Sequence, residues 1–317
     1  MSIATTTEPR QAVEPSDQPQ RAENVGSRRY MYCIIDCDEP TGPRTPHPPA
    51  DQPEASDASP GPLSFGPIGI GSGHPDVFVI AHQGVGAVVS RTSSEKFQVS
   101  RENTIVHQRV MEAAMARGHT VLPVRFGTVA EDKPDGSADA ENRLVNHVLA
   151  ARVDELSGLL ATYSTRDELG VKGLWTDMKA VFGEIIDSNE DIRSLRDKLL
   201  AGSRVRPGAR RRGHVSIMDG KPRLGEMVKN ALEAKKVAAE KELAGCLSGT
   251  VVDVRTNKTF GDPMFTNLAV LVEKSRTPEL DARLSAFEAK RAGRVKIKYV
   301  GPVPPSNFIE VVIRWDD

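Results

Sequence analysis

Cysteine is scarce, with three thiols in 317 residues. That number cannot build a disulfide framework and suits a reducing compartment. Cys33 and Cys37 invite a metal or disulfide reading, but four residues of strand set their backbones about 13 Å apart, beyond disulfide reach. Met31, Cys33, Ile35 and Cys37 are expected on one strand face, and Cys246 is remote, so all three are read as ordinary buried or loop thiols. Aromatic residues make up only 5% of the chain, and the paired strand aromatics on which an RNA-binding sheet stacks bases are missing. Charge of one sign is missing too. The 42 basic residues against 43 acidic ones leave no overall field to attract nucleic acid or an acidic membrane.

Long apolar runs are absent as well. The longest uncharged stretch with strand character, Val77 to Ser90, is 14 residues long and is interrupted by His82, Gln83, Gly84 and Gly86. A membrane-spanning helix needs about 20 apolar residues. Met1 to Arg10 has neither the basic start nor the apolar core of a signal peptide. The chain is therefore expected to be cytoplasmic, with no membrane partner.

No catalytic or ligand-binding constellation can be assembled. The histidines at 47, 74, 82, 107, 119, 147 and 214 show no metal-binding spacing, and no nucleophile elbow occurs. Gly66 to Gly73 looks like a phosphate loop, but a strand follows it rather than a helix N-terminus, so a flexible surface loop is expected. Asp187, Glu190 and Asp191 sit where helix capping explains them. No metal, cofactor or catalytic residue is expected, and the chain is not read as an enzyme.

What is present is a two-part α+β pattern. Residues 1–28 are too polar to offset the entropy of ordering and read as a disordered tail. Residues 29–175 read as the first domain. Its strands are Tyr30–Asp36, a hairpin from Val77–Ala81 and Val85–Ser90, Thr120–Val124 and Leu169–Trp175. A helix capped by Ser100 and another over 139–161 complete it. Nine prolines between Glu39 and Pro67 mark a solvated insertion over 38–67 in place of a crossover helix. Residues 176–212 read as connecting helices and a basic loop, Arg204–Arg212. Residues 213–317 read as a second domain: a strand at His214–Met218, a helix over 222–247, and strands at Thr250–Val254 and Leu268–Val272. A helix capped by Thr277 and stopped by Gly293 follows, then strands Arg294–Val300 and Phe308–Trp315. Alternation in these last strands calls for helices on one face of the sheet.

Two segments stand out. Val121-Leu-Pro-Val-Arg-Phe-Gly127 and Tyr299-Val-Gly-Pro-Val-Pro-Pro-Ser-Asn-Phe308 each join an apolar strand to a turn stiffened by glycine or proline. The second should turn the chain between the last two strands without extending the ladder. Arg125 and Glu168, at the ends of candidate neighbouring strands, could form a partly buried pair. The alternative for both is contact with a partner.

Together these segments resemble the signatures of the gas vesicle protein GvpL/GvpF family, whose usual forms are close to LPVRFGT and GPxPPxxF. Tyr30–Ile35, Ala87–Ser90, Glu168–Lys172 and Gly213–Ile217 extend the resemblance in family order. Ser306, where an aromatic is common, and the long insertion after Asp36 depart from it. The resemblance implies two ferredoxin-like domains and an accessory or minor structural protein that binds the hydrophobic shell protein, with other gas vesicle accessory proteins as further partners. It marks Leu122, Pro123, Arg125, Phe126, Gly127, Glu168, Lys172, Gly301, Pro302, Pro304, Pro305 and Phe308 as scaffold positions. Two rival readings stay open: a nucleic-acid-binding regulator using Arg204–Arg212, and a small-molecule enzyme using the cleft between the domains.

Overall fold

The computed structural model describes residues 28–37, 63–132, 138–203 and 217–315. The expected tail up to residue 27, residues 38–62 of the insertion and the basic loop 204–212 lie outside them.

Strand β1 (Arg28–Asp36) is the axis of the first sheet. Its apolar run is buried on both faces, as a central strand requires. The sheet order is β2 (Ser64–Gly66), β3 (Val77–His82), β4 (Val85–Thr92), β1 and β5 (Val121–Pro123), with β6 (Val129–Ala130) also on β1. The hairpin β3–β4 forms as expected. Gln83 (φ 47°) and Gly84 (φ 81°) fill a two-residue loop whose twist suits the strands. Ser64–Gly66 supplies an edge strand inside the stretch read as a solvated insertion, because Phe65 has a core to enter. The glycine-rich loop after it is not free either. Ile70 is buried, and its amide donates to the Tyr32 hydroxyl at 2.7 Å.

Helix α1 (Arg101–Ala116) covers one face of this sheet, its first turn capped by Ser100 as expected. The other face is covered by α2 (Ala140–Arg143), a π-helical turn (Leu144–Ala150) and α3 (Val153–Ser164). A register shift between Met31 and Cys33 breaks strict alternation in β1. Cys33, Ile35 and Cys37 therefore join Tyr30 and Tyr32 on the α1 side, while Met31 joins Ile34 opposite. The single face expected for Met31 and the cysteines is corrected accordingly.

The second sheet has the order β10 (Val295–Val303), β7 (Arg166–Trp175), β9 (Met264–Glu273) and β8 (Asp253–Thr256), all antiparallel. Strand β7, expected to close the first sheet, is thus the second sheet's first strand. Of the strand expected at His214–Met218, residues 214–216 lie outside the described residues, and Ile217 and Met218 instead open helix α6 (Ile217–Leu247). Helices α4 (Met178–Ser188) and α5 (Glu190–Ser203) are more than connectors, since Val181, Ile185 and Ile192 enter the second core beside α6 and α7 (Thr277–Ala289). Thr277 does not cap α7. It is the first helical residue, and its buried hydroxyl has no partner.

The largest correction concerns residues 304–315. Strand β10 runs on to Val303, which pairs with Glu168, so the ladder is extended. The following segment then leaves for the first sheet. The Val311 amide donates to the Pro123 carbonyl at 2.7 Å, and its carbonyl accepts from Arg125 at 3.2 Å. Ile309, Ile313 and Trp315 pack on the α2–α3 side of the first sheet. The strand expected at Phe308–Trp315 is reduced to this one bridge.

Glycine is required at position 173 of β7, where an added Cβ would lie 2.3 Å from the buried Phe265 ring. Gly173→Ala should lower stability by about 1–3 kcal/mol through overpacking. Urea unfolding checks this: Phe265→Leu in the same chain should recover part of the loss, and an unchanged midpoint for Gly173→Ala would contradict the packing.

Candidate functional site

The two signatures meet. Strand β5 ends at Pro123, and the chain turns over Arg125–Thr128, where the Arg125 carbonyl accepts from the Thr128 amide at 3.2 Å and hydroxyl at 2.7 Å. Gly127 takes φ 82°, a conformation open to glycine at little cost. Its amide donates to the Tyr30 hydroxyl at 3.2 Å. That hydroxyl lies 3.0 Å from Nδ1 of His107 on α1, while the His107 ring also bonds to the Val124 backbone. The Phe126 ring stacks edge-on to His107 with centroids 5.5 Å apart. Burial pulls the His107 pKa down from its ordinary 6.5 to about 4 and pushes the Tyr30 hydroxyl up. The chain of bonds therefore runs through neutral groups that pin the turn.

Opposite this turn lies the second signature. Gly301 (φ 137°) passes so close to β7 that an added Cβ would meet Leu169 at 2.8 Å. Pro304 and Pro305 are buried, and the Pro305 carbonyl accepts from the Phe308 and Ile309 amides, both at 3.0 Å. Glu168 holds this turn. Only 3% of it is exposed, and its two carboxylate oxygens accept from the Asn307 amide at 3.0 Å and side-chain Nδ2 at 2.5 Å. Burial raises the Glu168 pKa, and the Asn307 hydrogen bonds oppose that rise.

The expected Arg125–Glu168 pair does not form. Arg125 instead reaches Glu310 at 3.0 Å, with both side chains exposed. Both residues thus address the same late segment, three positions apart. Such an exposed ion pair is worth about 0–1 kcal/mol, whereas the buried Glu168 contacts carry more.

Between the signatures is a cleft of about 340 Å³. Pro123 and Phe126 form one wall, Val303, Pro304 and Asn307 the other, with Glu168 between them and Met111 of α1 beside them. Of the other motif positions, Leu122 is buried in the first sheet, and Phe308 is half-buried, its carbonyl accepting from the Tyr163 hydroxyl at 3.4 Å. Pro302 faces a separate hollow with Asp167 and Lys274. Lys172 lies away from the cleft, mid-strand between Asn267 and Lys298. Sequence reasoning missed Tyr30, His107, Asn307 and Glu310 as parts of this site. The one local sign was His107, a polar residue beside the Val106–Val110 stripe of α1. Among the described residues no group of His, Cys, Asp or Glu could hold a metal ion, and no helix is long and apolar enough to cross a membrane.

A family model described as gas vesicle synthesis protein GvpL/GvpF matches residues 28–310, the span that contains both turns and the cleft. The chain belongs to the GvpL/GvpF family. Gas vesicle protein L1 of Halobacterium salinarum is 25% identical over 90% of this chain and 91% of its own. Gas vesicle protein F of Dolichospermum flosaquae is 23% identical over 70% of this chain and 82% of its own. Crystal structures of GvpF from Anabaena sp. PCC7120 and from Microcystis aeruginosa share the fold. Their TM-scores are 0.61 and 0.56, at 22% and 21% identity, covering 90% and 89% of this chain and 99% and 98% of theirs. The resemblance read from the GvpL/GvpF signatures is therefore borne out.

Two measurements probe the cleft. A double-mutant cycle in urea should show coupling between Glu168→Ala and Asn307→Ala, with Glu168→Ala alone losing about 1–3 kcal/mol. Losses at Glu168 and Arg125 should add, and additive losses at Glu168 and Asn307 would refute the clamp. The second measurement concerns pH. His107 folds in its neutral form, so its contribution is complete above about pH 6.5 and is lost as pH falls toward about 4. The loss should reach about 3 kcal/mol, and His107→Leu should flatten stability across that window whatever its baseline.

Proposed function

We propose that this protein is a gas vesicle accessory or minor structural component that binds the hydrophobic shell protein and assists vesicle nucleation or assembly. The observation that carries this reading is the convergence of both family signatures, far apart in sequence, on one stiff, largely apolar cleft. The ionisable groups there are occupied in building it: Glu168 holds Asn307, His107 holds the Tyr30 turn, and Glu310 holds Arg125. Family membership supports the gas vesicle setting, and relatives named gas vesicle protein F and L1 support it further.

We further infer two ferredoxin-like units. Numbered in chain order, the main strands of both sheets run fourth, first, third, second, and β7 opens the second set. The strand order supports a boundary just before β7, with residues 304–315 returned to the first unit. Each unit leaves an edge. On β10 the exposed Tyr299 and Val300 lie beside unpaired strand backbone suited to strand addition.

The mechanism is stoichiometric holding. A shell subunit with uncovered apolar surface aggregates unless a partner covers it. Burying several hundred Å² at about 25 cal/mol per Å² supplies reversible association once ordering costs are subtracted. Co-expression with the cognate shell protein, followed by sedimentation, should show a larger soluble fraction of shell protein without nucleotide consumption. An unchanged pellet fraction would reject holding.

A further inference from the structure

The second sheet's helical layer holds a trough of about 510 Å³ that neither signature reaches. One wall is α6, which contributes Lys235, Ala238, Ala239 and Glu242. Their spacing puts them on one helix face along roughly 10 Å, or two turns. The two alanines leave the middle of that wall low. The other wall is the turn after α7, where Ala292 (φ 46°) and Gly293 (φ 75°) swing Arg294 back beside Lys290 and Arg291. The floor is aromatic: Trp175 and Phe265 pack with centroids 5.3 Å apart, next to Phe287.

Charge on the rim is unbalanced. Four cations face two carboxylates. Glu184 is shared by Arg294 and by Lys235 at 2.8 Å, and Glu242 is paired with Arg291. Lys290 is exposed and has no carboxylate partner among the described residues. The trough thus combines an aromatic floor, a wall of small residues two turns long and a surplus of positive charge. A small-residue wall admits a second helix at close range, and a positive rim selects carboxylates.

We propose that this trough docks an acidic amphipathic helix of a partner protein. An apolar side chain of that helix rests on the Trp175–Phe265 floor, and its carboxylates meet Lys290 and its neighbours Arg291 and Arg294. This surface is separate from the cleft between the signatures and stands whether or not the shell protein binds there.

Fluorescence anisotropy on the full chain tests it, using a labelled peptide of roughly three turns with leucine at helical spacing and glutamate elsewhere. The peptide should bind, more weakly as salt rises, and its lysine counterpart should not. Lys290→Glu and Ala238→Trp, both at exposed positions, should each weaken binding at least about tenfold. The first reverses charge on the rim and the second fills the trough, so either remains informative if the other misfolds. Equal binding of the two peptides, undiminished binding by a folded variant, or no binding by the unaltered protein would overturn the proposal. So would binding of anilinonaphthalene sulfonate alone, which would assign the trough to a small anion.

Discussion

Glu168 is 3% exposed, yet it accepts two hydrogen bonds from an asparagine 139 residues later in the chain. A buried carboxyl deprived of those donors would be strongly unfavourable, so the turn carrying Asn307 is held against the start of β7. Once it is held there, Val311 falls beside Pro123 and Arg125 and completes the edge of the first sheet. Arg152 donates to the Val312 carbonyl at 3.2 Å, and the Arg143 guanidinium lies 5.1 Å from the Trp315 ring centroid. One buried carboxyl thus fixes how the two sheets are joined.

The same constraint shapes the cleft. Its lining includes Pro123, Pro304, Phe126 and Val303, and its ionisable groups are engaged: Glu168 with Asn307, His107 with Tyr30, and Glu310 with Arg125. Tyr30 serves two masters here, accepting from the Gly127 amide and bonding to His107, while Tyr32 does likewise for Ile70 and Ser90. Burial pushes the Tyr32 hydroxyl up to about 12. Adjacent tyrosines of β1 therefore bind two loops to one face of the sheet as uncharged donors and acceptors.

Much of this architecture was legible locally. The Ser100 cap, the β3–β4 hairpin and the left-handed Gly127 and Gly293 all follow from residue type and spacing. Sheet membership does not. Leu169–Trp175 reads as a strand in isolation, but nothing in its alternation says which sheet it joins. The Phe308–Trp315 stripe likewise announced an apolar face without naming the core that would cover it. The bulge at Met31–Cys33 is invisible because a fully buried strand is apolar on both sides, so a one-residue shift leaves no trace in the pattern. Of the site, the motif turns were found in advance. Their tethers, Asn307 and Glu310, were not, since a hydrogen bond spanning the chain has no local signature.

The closure of the first sheet by residues 304–315 also sets an order of events during synthesis. A ribosome adds residues at about 5–20 per second. Strand β5 therefore waits many seconds, with its edge uncapped, for Val311 to be made. Throughout that interval the nascent chain presents an open strand edge and the apolar patch awaiting Ile309, Ile313 and Trp315. Emergence of residues 304–315, rather than the folding of what precedes them, is the step that closes the first sheet.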